Sequence, residues 1–141
     1  MNDESDFDAF IEKLHKEIEE DELKTFSKKV IEEYHHPKNW GKIDDANAQT
    51  SLTGSCGDTM KFYLFIKNNI IKKASFITDG CGPTVACGSK LTTMITNMNI
   101  LDAKKLTPEN LIDALDGLPP ENEHCALLAI RTLNAALQQI L

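Results

Sequence analysis

Between Thr59 and Lys67 the chain alternates: Met60, Phe62, Leu64 and Ile66 point one way and Lys61, Tyr63, Phe65 and Lys67 the other. A period of two over nine residues predicts a strand with one face set against a core. Asn68-Asn69 follows, and asparagine tolerates positive φ, so a two-residue hairpin turn is expected, returning the chain as a partner strand over 70–78. Residues 51–54 are the candidate start of the sheet, after a polar loop over 42–50. The period then changes to that of helices. Pro83 suits the first position of a helix over 83–98, because its missing N–H has no partner there anyway. Thr107-Pro108-Glu109 opens a short helix to about Leu115. Pro119-Pro120 precedes a last helix over about 122–140, with Leu127, Ile130, Leu133, Leu137 and Ile140 on its apolar face.

Two further helices are expected ahead of the strands. One covers 25–36 and is stopped by Pro37, and His35 and His36 beside it read as capping or surface groups. The other covers 5–22, where Phe7, Phe10, Ile11, Leu14 and Ile18 share one face of a 3.6-residue period. Strands in the first half and helices in the second predict an α+β fold: a small antiparallel three-stranded sheet with helices packed on one face, plus the extra N-terminal amphipathic helix.

Charge changes this picture in one place. The 141 residues carry a net charge of −7 and 41% hydrophobic residues, the profile of one globular domain. Residues 1–24 hold ten acids against three bases, whereas 25–141 hold twelve of each. The excess therefore belongs to the N-terminal arm, which reads either as a helix docked on the domain or as a segment for partner docking or self-association. An acidic chain with no basic stripe argues against nucleic acid. No stretch approaches a membrane span, and a reduced, cytoplasmic setting is the expectation.

The chemistry lies in the cysteines. Cys56-Gly57-Asp58, Cys81-Gly82-Pro83 and His124-Cys125 lie 25 and 44 residues apart, and no C-x-x-C pair occurs. A zinc ribbon or a thioredoxin-type redox pair is thereby disfavoured. Three thiolates with Asp58 and His124 mix soft and hard ligands, which suits an iron–sulfur cluster or zinc. Three thiolates without a fourth suggest a site that also releases what it holds. Cys81 falls just before one expected helix and Cys125 in the first turn of another, where a helix N-terminus favours a thiolate. Cys87, among Val85, Ala86 and Leu91, reads as a small buried side chain outside the site.

These residues also carry a resemblance. Phe26-Ser27-x-x-Val30-Ile31-x-x-Tyr34-x-x-Pro37-x-Asn39-x-Gly41 comes first, followed by Cys56-Gly57-Asp58-x-Met60-Lys61 and then Gly80-Cys81-Gly82. With Leu118-Pro119-Pro120-x-x-x-His124-Cys125, this ordered set closely resembles the iron–sulfur cluster assembly scaffolds of the IscU/NifU N-terminal type. The likeness covers roughly 24–141 and divides the chain into that scaffold domain and an acidic extension, 1–23. It implies assembly of a transient [2Fe-2S] cluster from iron and persulfide sulfur delivered by a cysteine desulfurase, then transfer to acceptor apoproteins, without enzymatic turnover. It implies Cys56, Cys81 and Cys125 as cluster thiolates, Asp58 or His124 as the exchangeable fourth ligand, and Fe(II) or Zn(II) in the cluster-free site. Cys125 is the expected sulfur acceptor, and the expected state is a monomer or weak homodimer. The chain departs from the family at Glu121-Asn122, where the family has Val-Lys after Leu-Pro-Pro; the reversed charge argues against docking of an Hsp70-type chaperone. Cys87 stands where the family leads one to expect a small residue such as Ser. Two rivals remain: a zinc-bound sulfurtransferase that accepts persulfide and stimulates a desulfurase, and a zinc-stabilised interaction module. A zinc-dependent sulfur-transfer branch carries an insertion before the last cysteine and lacks the histidine; this chain has His124 and no such insertion.

Overall fold

A computed structural model describes residues 3–141. Strands β1 (Ala48–Thr53), β2 (Thr59–Lys67) and β3 (Ile70–Thr78) form one antiparallel sheet in the order β1-β2-β3. The β2–β3 turn is Asn68-Asn69, with φ of 56° and 64°, and Lys67 pairs with Ile70 across it. Two successive left-handed residues match the twist of the flanking strands, so this turn sets the register at its end of the hairpin, which shifts by one residue at a bulge between Phe65 and Ile66. Met60, Phe62 and Leu64 of β2, with Ile71 and Phe76 of β3, are fully buried.

Helices α3 (Gly82–Ile95) and α6 (Glu123–Gln138) cover that apolar face, with α5 (Pro108–Ala114) packed on both. Leu91 and Ile95 of α3 and Leu133 and Leu137 of α6 close the core with Leu111 of α5. Burying a large apolar side chain is worth roughly 1.5–3 kcal/mol, so this one layer of contacts dominates the stability. Gly88 permits it. A Cβ there would lie 2.4 Å from a Phe76 ring carbon, so only glycine lets α3 approach β3 so closely.

Several expected boundaries shift, each for a local reason. The sheet starts at Ala48 rather than in 51–54, because the Asn47 side chain behaves as an extra peptide: its amide donates to the Ile66 carbonyl and its oxygen accepts from the Ile66 N–H. The helix expected over 25–36 is α2 (Lys28–His35), since the Ser27 hydroxyl accepts from the Val30 N–H and caps it. Helix α3 ends before 98. Asn97 takes φ of 71°, and residues 97–98 hydrogen-bond the backbone of Ile71, extending the edge of β3. A five-residue helix, α4 (Ile100–Lys104), capped by Asn99, has no periodic signal in the sequence. The last helix begins at Glu123 after a 3-10 turn at Pro120–Asn122.

The N-terminal helix α1 runs Asp3–Thr25, longer than the 5–22 expected. It lies against α2 near its C-terminal end, where His35 Nε2 and Glu22 Oε2 are 2.9 Å apart. Farther up, Phe7 and Phe10 are more than 60% exposed, and Leu14 and Ile18 are exposed too. No helix among the described residues is long and apolar enough to cross a membrane.

Candidate metal centre

Each candidate ligand sits at an edge where a strand or helix begins. Cys56 occupies the loop 54–58 between β1 and β2, a tight closure in which Gly54 N donates to Asp58 O and Gly57 N to Gly54 O. Gly57 takes φ of 90°, which bends the chain directly after the thiol. Asp58 ends that loop, half-buried. The next turn is fastened beside it: Thr59 N donates to Asp79 Oδ1 at 2.7 Å, and the Thr78 hydroxyl donates to the Thr59 carbonyl at 2.6 Å. Cys81 then stands at the N-cap of α3, with Pro83 in the first turn. Cys125 lies in the first turn of α6, with His124 before it.

Thr84, fully buried in the first turn of α3, is the hub. Its hydroxyl lies 3.0 Å from Asp58 Oδ2, 3.3 Å from Cys125 Sγ and 3.7 Å from Cys81 Sγ. One hydroxyl therefore links all three segments. His124 Nε2 lies 3.7 Å from Cys125 Sγ, so both candidate hard ligands flank the same sulfur group. Gly80 leaves the space for this: a Cβ there would lie 2.7 Å from Thr84 and 2.8 Å from Asp58 Oδ2. Thr84 is the site residue that sequence reasoning missed. The available signal was its place three residues after Cys81, on the same helical face.

The thiols differ sharply. Cys56 and Cys81 are exposed, whereas Cys87 and Cys125 are buried. Burial pushes the Cys125 thiol up to about 11; the Thr84 hydrogen bond opposes this, and negative charge at Cys81, Cys56 and Asp58 adds to it. The sequence leads one to expect a thiolate favoured at Cys125 by the helix N-terminus; desolvation and neighbouring anions push the other way. Cys87 is also pushed up by burial, then by Cys125 and Cys81, and sits in the core behind the site.

Asp58, Cys81, Cys125 and His124 are thus gathered, and Cys56 hangs at the exposed rim. Among the described residues no three His, Cys, Asp or Glu side chains already converge in a metal-holding group. The donor chemistry still fits a soft, thiophilic ion or a cluster: three sulfurs with one carboxylate and one imidazole at their edge.

Comparison with known sequences identifies the group. The family described as NifU-like N terminal domain matches residues 25–140. This chain belongs to that family. An iron–sulfur cluster assembly scaffold protein IscU from Buchnera aphidicola subsp. Baizongia pistaciae is 40% identical over 117 residues, covering 79% of this chain and 92% of that one. The IscU scaffold protein of Aquifex aeolicus is 34% identical over 119 residues, covering 82% and 76%. Among solved structures, a NifU-like N-terminal protein from Brucella abortus aligns with a TM-score of 0.64 at 15% identity, over 81% of this chain and 92% of that one. A scaffold candidate for the SUF system from Fervidobacterium islandicum gives 0.65 at 22%, over 79% and 96%. These two likenesses show the shared α+β fold.

Proposed function

We propose that this protein is a scaffold on which an iron–sulfur cluster is assembled and from which it is passed on. The observation that carries the reading is the gathering of Asp58, Cys81 and Cys125 around Thr84, in a member of the NifU-like family whose relatives bear the scaffold name. In its finer form the cargo is a [2Fe-2S] cluster held by Cys56, Cys81 and Cys125, with Asp58 or His124 as the exchangeable fourth ligand. Fe(II) or Zn(II) occupies the site between cargoes.

Sulfur arrives from a cysteine desulfurase as a persulfide. The Cys125 thiolate attacks its outer sulfur, the S–S bond breaks, the donor's thiolate leaves with the electron pair, and a persulfide forms on Cys125. A separate thiol or ferredoxin-type reductant then supplies two electrons per sulfur to give the bridging sulfide. Cys125 is buried while Cys56 and Cys81 are exposed, so this step needs the site to open around it. The burial then shields the persulfide from stray reduction. Acceptor apoproteins take the finished cluster.

Anaerobic reconstitution with ferrous iron, cysteine and a desulfurase tests the reading. A brown protein with sulfide-to-iron absorption is expected from the wild type and from Cys87→Ser. Cys56→Ser, Cys81→Ser and Cys125→Ser should each fail to hold a stable cluster, because no neutral group replaces a thiolate's charge and softness. Bleaching by Cys87→Ser would mean that the ligand set is misassigned. A wild type that stays colourless and keeps zinc while gaining a persulfide would favour the zinc-bound sulfurtransferase instead.

A further inference from the structure

Helix α1 presents an apolar stripe that is largely exposed among the described residues. Phe7 is 63% exposed, Phe10 61%, Leu14 40% and Ile18 46%. At 100° per residue these side chains and Ile11 lie on one face; Asp6 and Glu17, with Lys13 beyond them, run along one margin and Asp8 and Glu22 along the other. Asp21 falls within the stripe, 3.8 Å from Lys24, and Lys16 lies on the far side. The helix is fastened to the body near its C-terminal end, through Glu22 and His35.

Charge selects among the possible occupants. A second copy would set ten acids against ten, and the body, with twelve acids and twelve bases over 25–141, offers no net positive charge in return. An anionic bilayer would repel the same rim. What complements an apolar stripe with an acidic margin is a protein groove with an apolar floor and basic walls.

The anchoring of α1 says where such a partner would sit. Next to His35 in α2, the Tyr34 ring lies 4.4 Å from the His35 ring, centroid to centroid. A Cβ on Gly82 would lie 3.2 Å from that tyrosine ring, and Gly82 directly follows the exposed Cys81. The root of α1 is therefore joined through Tyr34 to the side of the centre where a sulfur is accessible.

We infer that α1 is a docking helix for the sulfur-donating desulfurase, seated in a basic-walled groove of that enzyme. The inference rests on the scaffold reading above. A two-sulfide cluster needs two deliveries from the donor but one departure to an acceptor. A tether that keeps the donor at hand between deliveries raises its effective concentration at the site.

The test uses the full chain and the purified cysteine desulfurase of the same organism. Three proteins are compared: wild type, Phe7→Ser with Phe10→Ser, and Asp6→Asn with Glu17→Gln. The wild type should bind with an affinity that falls about tenfold as salt rises from about 50 to about 300 mM. The phenylalanine variant should bind about tenfold more weakly at every salt concentration, and a synthetic peptide of residues 3–25 should compete. The charge variant should lose most of the salt dependence. Chemical reconstitution with ferrous iron and sulfide, without desulfurase, should give the same cluster yield in all three. Equal desulfurase binding by all three proteins would overturn docking while leaving the scaffold reading intact. A wild-type dimer abolished by Phe7→Ser with Phe10→Ser would overturn it in favour of a second copy. So would binding to phosphatidylserine vesicles in favour of a membrane, or a lower cluster yield in the phenylalanine variant in favour of a purely structural helix. Failure of the wild type to build a cluster would instead sink the scaffold reading, and the binding series would still decide whether α1 docks.

Discussion

A hydroxyl has one proton to donate, and Thr84 stands between two acceptors, Asp58 Oδ2 and Cys125 Sγ. A proton given to the carboxylate is not available to the sulfur, so the one bond that opposes the upward push on Cys125 is shared with Asp58. The hub thus ties the Asp58 loop to the starts of α3 and α6, with Cys56 and Cys81 exposed beside it. Thr84→Val keeps the volume and removes both bonds. It should lower the stability of the metal-free protein by roughly 1–2 kcal/mol, read as a shift in the urea midpoint, and zinc-loaded protein should lose less. Asp58→Ala should act on release. Without a hard, exchangeable ligand a bound cluster should be longer-lived, and its transfer to an apo-ferredoxin, followed by circular dichroism, should slow several-fold. An unchanged or faster rate would remove Asp58 from that role. The cysteines were legible because each carries a Gly, Asp or His neighbour at an element edge. Thr84 was not, since a threonine in a helix's first turn is ordinary until the fold shows what surrounds it.

Among the elements, those with a strong period were legible and those held by side-chain bonds were not. β2, the Asn68-Asn69 turn and β3 follow from alternation and one turn preference. β1, with the sequence AQTSLT, has little apolar pattern and is positioned by Asn47 at its start and by Gln139 against Gln49. Such long-range bonds leave no local trace. Helix α1 was foreseen as amphipathic, yet whether its stripe would be covered depended on where it attaches. That attachment is sensitive to acid. Hydrogen bonds from Tyr34 and then His35 hold Glu22 below the usual carboxylate range, and Glu22 in turn pushes Tyr34, already raised by burial, up to about 12. A lowered carboxyl stabilises the docked form above its unfolded value of 4.5, and that contribution is lost as pH falls through the lower folded value. Acidification into that range should free α1 before the core unfolds, read as faster amide exchange over 15–25 with β2 and β3 still protected. Glu22→Gln should show the loosened α1 already at neutral pH.

For the whole molecule, the centre joins stretches of chain that start 25 and 44 residues apart, one from a hairpin loop and two from helix starts. In polymer terms a bound ion or cluster closes two loops at once. A covalent staple across loops of this size is worth roughly 3–4 kcal/mol through the freedom it removes from the unfolded chain. Coordination that is lost on unfolding adds to stability in proportion to metal activity instead. Loading should therefore raise the melting temperature and slow amide exchange together at 54–58, 81–85 and 123–127, three segments remote in sequence. Thermal melts and exchange maps of zinc-loaded and chelated protein would check this, and protection confined to one segment would refute it. If the three thiolates hold the cargo as proposed, the loaded protein should be the stiffer form, and a protease in limiting amount should cut the emptied form first.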